Sequence, residues 1–455
     1  MKDGIRQEIV ALAVPVVFSS LLQRLTTVVD IFLVGGLGAA AIATVGIGQL
    51  MMFVAMTVVW ALSAGTTVVI AQLWGAQRQD HAGAVAFRSV CIGALLGAAL
   101  GVFGVSGSHA GAVFLGAHPE VLALIAPYLR VIFSFFACSL LVNLLSAIMY
   151  GTGDTRPPLR AAVLMNVVHL AVAYPLIFGV WGAPRYGVLG AAIATAVSET
   201  VGAVYLLVVG FRRRYLRTGR PHPELMREVA RVGLPVLGER LLQQTGQLMY
   251  LKVVMLYGTA AYAAHQVGMA IEALAFLPGL GIGMAATTAV GQRVGAQRIL
   301  EATIAHREAN RLALMIMVGM GIVFFCIPGP LLRLFTQDSE VIALGAPLLK
   351  IVAVLQIPLA ITLVLSGSLR GAGDTPVLFW STVVGSWGIR VPLAWLFAVA
   401  LNLDLIAVWS LLLADWVARM SVLAYRYRTD KWHERCVIPA PSSEHGVVLA
   451  AVKPG

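Results

Sequence analysis

Asp30 lies in the run "QRLTTVVDIFLVGGLG", with aliphatic neighbours before and after it. Such surroundings disfavour an ionised carboxylate, so an acid placed there is a candidate proton carrier, or else the anchor of a fixed hydrogen-bond network. Gln23, seven residues earlier, falls on nearly the same helical face. Two polar pairs are spaced to surround that acid: Asn166 with His169 at i and i+3, and Thr195 with Glu199 at i and i+4. His169 alone would equally suit plain packing. In the second half of the chain Glu239, Gln243 and Tyr250 follow at spacings of 4 and 7, a stripe expected to line a cavity. His265 and Glu272 repeat the spacing of 7 just before "FLPGLGIGMAATT", where Pro278 and the glycines are expected to kink a helix. Glu239 and Glu272 suit three roles: binding a cation, binding an organic substrate, or closing a polar network. Arg390, in "GSWGIRVPLAW", requires an anion beside it, and a structural salt bridge to an unnamed partner is expected.

These side chains need elements to position them, and composition decides which kind. Of 455 residues, 59% are hydrophobic and 12% charged, with a mean hydropathy of +0.87, which leaves too few polar groups to cover a soluble globule. Apolar stretches of roughly 20 residues or more, enough to cross ~30 Å of hydrocarbon, recur along the whole chain. They fall at 8–34, 44–74, 88–110, 121–149, 159–181, 187–211, 231–257, 265–294, 308–329, 341–369, 377–401 and 404–425. No alternating segments of ~10 residues suggest a membrane barrel. The expected fold class is therefore an all-α integral membrane protein with twelve transmembrane helices. An ionisable group at the centre of such a helix costs about 2.5–3.5 kcal/mol on insertion scales, so the few present are expected to face inward.

The net charge of +11 does not point to nucleic acid, because the cations collect in every second loop. One set holds Lys2 and Arg6, Arg78 and Arg88, Arg156 and Arg160, the "FRRRYLRTGR" segment, Arg293, Arg298 and Arg307, Arg370, and Arg426, Arg428, Lys431 and Arg435. The opposite loops carry chiefly Arg185 and Arg333. This asymmetry places both termini in the cytoplasm of a multi-pass protein of the inner membrane. Cys91, Cys138, Cys326 and Cys436 show neither metal spacing nor evident pairing. The N-terminal apolar run continues without a convincing cleavage site and reads as a retained first helix. From about residue 437, "VIPAPSSEHGVVLAAVKPG" is expected to be a disordered tail.

Adding 220 to a position in the first half lands on a like residue again and again. Pro15 maps to Pro235, Gln23 to Gln243, Gly38 to Gly258, "GAQ" at 75–77 to "GAQ" at 295–297, Glu120 to Glu340, Pro127 to Pro347 and Asp154 to Asp374. Tyr250 takes the place of Asp30. The chain is an internal duplication of two six-helix lobes, 1–211 and 231–425, with a linker at 212–230 and a tail at 426–455. An even number of helices per copy implies an axis along the membrane normal, with a binding site between the lobes and alternating access by rocking. "GTGDT" at 151–155 and "GAGDT" at 371–375 are then equivalent turns. In them Gly153 and Gly373 supply backbone freedom, and Asp154, Asp374 and the threonines are expected to cap the next helix.

"PVVFSSLLQRLTTVVDIFLVGGLGAAAIATVG", "GTGDTRPPL", "GVLGAAIATAVS", "AAYAAHQVGMAIEALAFLPGLGIGMAATTAVGQRVGA" and "LSGSLRGAGDTP" together resemble the multidrug and toxic compound extrusion transporters over residues 8–425. The resemblance implies twelve helices in two lobes and export of amphipathic, often cationic compounds in exchange for protons or sodium ions. It matches Asp30 to an aspartate of a first-lobe ion site and Thr195 to the threonine beside it. His169 falls where many relatives have Asn, and Ala173 where many have Asp, so that site lacks its second carboxylate; either Glu199 or His169 would replace it, or the site would work with Asp30 alone. Gln243 falls where some relatives use a glutamate, with Glu239 one turn earlier. The expectation is a monomeric antiporter of small organic substrates, surrounded by lipid, with no cofactor and with protons favoured over sodium as coupling ion. The alternatives are a flippase of lipid-linked precursors, marked by extra helices or a strongly cationic cavity, and a membrane enzyme or receptor. No convergent hydrolase set is visible.

Overall fold

Hydrocarbon offers no partner to backbone N–H and C=O groups, so apolar segments of this length must satisfy them internally as helices. A computed structural model of the chain describes residues 2–114, 116, 118–219 and 223–438. All regular elements among them are helical. The first lobe holds α1 (Lys2–Gly35), α2 (Ala39–Gly75), α3 (Gln79–Phe114), α4 (Pro119–Ser134 and Phe136–Thr152), α5 (Arg156–Phe178) and α6 (Val188–Arg212). The second holds α7 (Pro223–Met255), α8 (Thr259–Gly295), α9 (Ile299–Cys326), α10 (Ser339–Gly371), α11 (Pro376–Ala400) and α12 (Leu405–Arg428). The two pieces of α4 meet at 47°. Ten of these helices are long and apolar enough to cross a membrane by themselves, and the bent α4 makes eleven. The twelfth, α7, carries Glu239, Arg240, Gln243, Gln244 and Gln247 within its 33 residues. It begins at Pro223, inside the segment expected to be linker, and α8 is a single helix that includes Pro278.

The duplication is written into the backbone. Gly38 and Gly258 precede α2 and α8 with φ of 105° and 97°, and Gly153 and Gly373 close α4 and α10 with φ of 85° and 92°. Even the non-glycine positions agree, with Gln77 at φ 60° and Gln297 at φ 59°. Each lobe has its own apolar core, but the two exchange a helix end. Ile5, Ile9 and Leu12 of α1 belong to the second-lobe core, and Leu225, Val229 and Val232 of α7 to that of the first.

The lobes meet on the terminal side, where both described ends and the α6–α7 connection lie. A Cβ at Gly75 would stand 1.8 Å from the Gln292 carbonyl oxygen, and one at Gly295 would stand 2.0 Å from that of Gln72. The backbones of α2 and α8 therefore touch, which only glycine permits. Beside this contact Gln72 Nε2 donates to the Gly371 carbonyl at 2.9 Å and Gln292 Nε2 to that of Gly151 at 3.0 Å, the same bond made twice. Arg293 adds a two-pronged ion pair to Glu8, at 3.0 and 2.8 Å. Among the described residues, the hydrogen bonds and ion pairs between lobes all fall on this side.

A strap completes the seam. Beyond α12, Trp432 stacks on Tyr427 with centroids 5.2 Å apart, Val437 N–H donates to Gln72 Oε1 at 2.8 Å, and Val437 and Ile438 enter the first-lobe core. Packed chain thus continues to residue 438, and residues 439–455 of the expected disordered tail lie outside the described residues. Burial pushes the Cys436 thiol of this strap up from its ordinary pKa, which slows its reaction with electrophiles. Gly75→Val should open the seam, since overpacking of this kind costs about 1–3 kcal/mol. With Cys91, Cys138 and Cys326 replaced by serine, labelling of Cys436 by an impermeant maleimide should then accelerate at least about fivefold. An unchanged rate would mean that the glycine contact does not hold the side closed.

Candidate functional site

In the first lobe α1 and α5 lie side by side and bring the predicted residues together. His169 Nε2 is 2.6 Å from Asp30 Oδ1, with 2% of the histidine side chain exposed and 14% of the aspartate. One turn away, Thr26 donates to Asn166 Oδ1 at 2.8 Å, so both members of the Asn166–His169 pair face α1. Glu199, on α6, accepts from the Ser139 hydroxyl of α4 rather than touching Asp30. Thr195 turns its hydroxyl onto the Ala191 carbonyl of its own helix at 3.1 Å. Ala173 is buried among apolar residues. Of the two expected substitutes for the missing carboxylate, His169 is the one beside Asp30, and Glu199 stands behind it.

The second-lobe candidates divide into two groups. Glu239 and Gln243 line a cavity of about 60 Å³ together with Arg240, Arg370 and Arg419. Tyr250, from the same stripe, does not reach it. Eleven residues along α7, it is fully buried and its hydroxyl donates to the Val408 carbonyl of α12 at 3.1 Å. His265 packs its ring 5.9 Å from that of Tyr250, with neither nitrogen hydrogen-bonded. Glu272 is buried as well. Equal spacing put these residues on one face, but a face 16 Å long passes from cavity to packed interior. Gln23, expected to join the cavity set, is exposed on α1.

Arg390 finds its anion in Asp415, fully buried on α12, with Nε and Oδ2 3.1 Å apart at an angle too bent for a hydrogen bond. Arg419, one turn after Asp415, pairs with its other oxygen at 2.7 Å. Much of α11 is wound as π-helix, over Val383–Arg390 and Leu396–Ala400. The first stretch presents Ser386 to both guanidiniums, at 2.9 Å from Arg390 and 2.6 Å from Arg419. Gly385 admits the carboxylate, since a Cβ there would lie 2.1 Å from Asp415 Oδ1.

The paired "GDT" turns act differently from the expected caps. Thr155 and Thr375 precede α5 and α11 in helical rather than extended conformation, without side-chain capping bonds, and Pro157 and Pro158 have no N–H to be capped. Asp154 instead pairs with Arg213 and accepts from the Tyr215 hydroxyl at 2.9 Å, whereas Asp374 takes Arg426 at 2.5 Å. Each carboxylate ties its turn to the end of the last helix of its lobe. Thr155 donates to the Ala11 carbonyl, four residues before Pro15, where the missing proline N–H leaves that oxygen without a helical partner. Thr375 similarly donates to Val232, three residues before Pro235.

A family model, MatE, matches residues 15–175 and again 235–396, two blocks that begin 220 residues apart. The chain belongs to the MatE family. It is 32% identical over 438 residues to the probable multidrug resistance protein NorM of Thermotoga maritima, covering 95% of this chain and 94% of that one. To the multidrug resistance protein NorM of Burkholderia vietnamiensis it is 29% identical over 426 residues, covering 91% and 92%. Among solved structures it superposes on an aspartate-to-asparagine mutant of the Vibrio cholerae MATE transporter VcmN, with a TM-score of 0.88, 20% identity and 95% and 99% coverage. A MOP-superfamily transporter from Pyrococcus furiosus, described as having a binding pocket of reverse polarity, matches with a TM-score of 0.87, 22% identity and 94% and 96% coverage. This MatE-family chain is thus a multi-pass membrane protein of a multidrug efflux family.

Sequence reasoning passed over Arg240, Asp415 and Arg419, although each interrupts an apolar span, the criterion that had singled out Asp30. The signal for the last two was an Asp and an Arg four apart in "LLLADWVARM". Arg370, taken for a loop cation, is turned into the cavity from the last turn of α10. Removing Asp415 would leave two guanidiniums buried without their anion. Asp415→Ala should therefore cost about 3–5 kcal/mol, seen as a lower Tm of the purified protein in detergent. A Tm within error of the wild type would show that Ser386, Thr382 and Gln247 satisfy both arginines unaided.

Proposed function

We propose that this MatE-family chain is a secondary active antiporter of the inner membrane that exports amphipathic organic compounds in exchange for protons. With both termini in the cytoplasm, the seam would close the cytoplasmic side and the lobes would part toward the outside. One chain suffices, because both lobes and the seam between them belong to it, and its other partner is the surrounding lipid. The observation that carries the coupling ion is the contact of 2.6 Å between His169 Nε2 and Asp30 Oδ1. Sodium prefers several oxygen ligands, and here an imidazole nitrogen occupies the carboxylate face where a cation would sit. A proton needs no such shell. Protonation would cancel the charge of the pair and free α1 to shift against α5, and release to the other side would restore it.

The remaining question is the charge of the substrate. A cationic compound, the class expected from the resemblance, would find Glu239 as the cavity carboxylate, already 3.7 Å from Arg370. The arginines of that cavity are the one feature that favours the flippase alternative, whose substrates carry phosphate. Proteoliposomes loaded with ethidium decide the coupling. An imposed pH gradient should drive efflux that Asp30→Asn and His169→Asn each slow at least about tenfold. Efflux driven equally well by a sodium gradient at matched pH, or a native rate in Asp30→Asn, would overturn the proton reading.

A further inference from the structure

The second-lobe cavity holds a charge imbalance that proton coupling at Asp30 does not use. Arg419 is committed to Asp415, but Arg240 and Arg370 have only Glu239 between them. Glu239 Oε2 lies 3.7 Å from Arg370 Nη2, too far for a hydrogen bond. Arg240 lays its guanidinium 5.7 Å from the ring of Trp60, across the seam in the first lobe. The Nε atoms of both arginines are buried without an acceptor, and Glu239 Oε2 is buried without a donor. A buried guanidinium N–H lacking an acceptor is costly, and two positive charges facing one negative leave a single charge unanswered.

An anionic group answers both deficits. Guanidinium forks match carboxylate and phosphate oxygens in geometry, and the charge-assisted bonds are the strong ones. A cavity of about 60 Å³ has room for several water-sized groups, which suits one carboxylate or phosphate and not a whole drug. Phe276, Leu280 and Trp416 line the same space and offer an apolar wall to the ring system that would carry the anion. We propose that this cavity is an anion-recognition subsite, in which Arg240 and Arg370 hold a carboxylate or phosphate group of an amphipathic substrate. This deepens the efflux reading and rests on it for the direction of transport. Zwitterions and organic acids then join the substrates, with their cationic or aromatic part in the cleft between the lobes.

A rhodamine with a free carboxylate and its methyl ester share a fluorophore and differ in the anionic group. Binding of each to purified full-length protein in detergent, read by tryptophan fluorescence, tests the subsite without requiring transport. The acid should bind at least about tenfold more tightly than the ester. Arg370→Gln and Arg240→Gln should each collapse that preference, and Arg370→Lys, which keeps the charge, should restore most of it. Competition by inorganic phosphate or by a short-chain lipid phosphate then separates the sources of the anion. If the lipid phosphate competes and the rhodamine acid shows no preference, the subsite serves phosphate and the carboxylate assignment falls. Equal binding of acid and ester with no competition by either phosphate would overturn the proposal. Absence of pH-driven efflux together with a ten-fold acid preference would fail the antiporter reading and leave the subsite standing.

Discussion

Backbone contact between α2 and α8 fixes how closely the two lobes approach, and the rest of the terminal side is built around it. With carbonyl oxygens under 2.5 Å from where a Cβ would be at Gly75 and Gly295, no other residue fits without moving a helix. The approach also brings Gln72 and Gln292 within reach of carbonyls on the opposite lobe, so helix ends that would otherwise need water are satisfied by amides. These bonds are not strong. A neutral hydrogen bond contributes about 0.5–1.5 kcal/mol net, and a half-exposed ion pair such as Glu8–Arg293 contributes about 1 kcal/mol or less. A seam made of a few such terms is tight in geometry yet reversible in energy. The proposed alternating access requires both properties of a side that would later open.

The two lobes use the same scaffold for opposite electrostatic purposes. In the first, Asp30 has one close partner and keeps part of its carboxyl accessible. In the second, the repeat replaces that acid by Tyr250, over whose ring Arg390 lies at 5.5 Å. Asp415 is flanked there by two arginines that Ser386, Thr382 and Gln247 also engage. Removing any one member would strand the others, so this assembly behaves as a fixed strut. Divergence after duplication has left one copy with an acid held by a single close partner and the other with a rigid network. The cavity arginines lie against the strut, and Arg419 belongs to both.

Periodicity and register in the sequence carried most of the fold. Twelve apolar spans follow from hydrocarbon thickness, and a repeat that keeps one offset from Pro15 to Asp154 needs no structure to be seen. Residues on one helix sharing one partner helix were also legible, as Asn166 and His169 show. Pairing across helices was not. Asp30 meets a histidine 139 residues away, and Asp154 and Asp374 meet arginines 59 and 52 residues on, because interhelical packing decides those distances and no sequence period encodes them. The expected cap at Thr155 failed for a local reason that could have been read, since "TRPPL" offers no N–H at the positions a cap serves. The strap was hidden by composition: a short polar stretch after the last span looks like a tail, whatever Trp432 and Val437 do later.

The exchanged helix ends suggest how the first-lobe site reaches the second lobe without touching it. α1 holds Ile5, Ile9 and Leu12 in the second-lobe core and Val34 in that of the first, so one helix is fastened to both bodies. α7 does the reverse, with Val229 and Val232 in the first lobe and Tyr250 in the second. Between the two fastenings lie Pro15 and Pro235, where the missing N–H breaks the helical ladder and the threonines of the "GDT" turns bond to carbonyls beside the gap. In the proposed cycle, a change of charge at Asp30 acts on the far end of a helix whose near end is part of the opposing lobe. A break in the ladder lets those ends move separately. The seam, the proton site and the cavity are thereby linked through two crossing helices, and the link works in both directions because each lobe holds one end of the other's first helix.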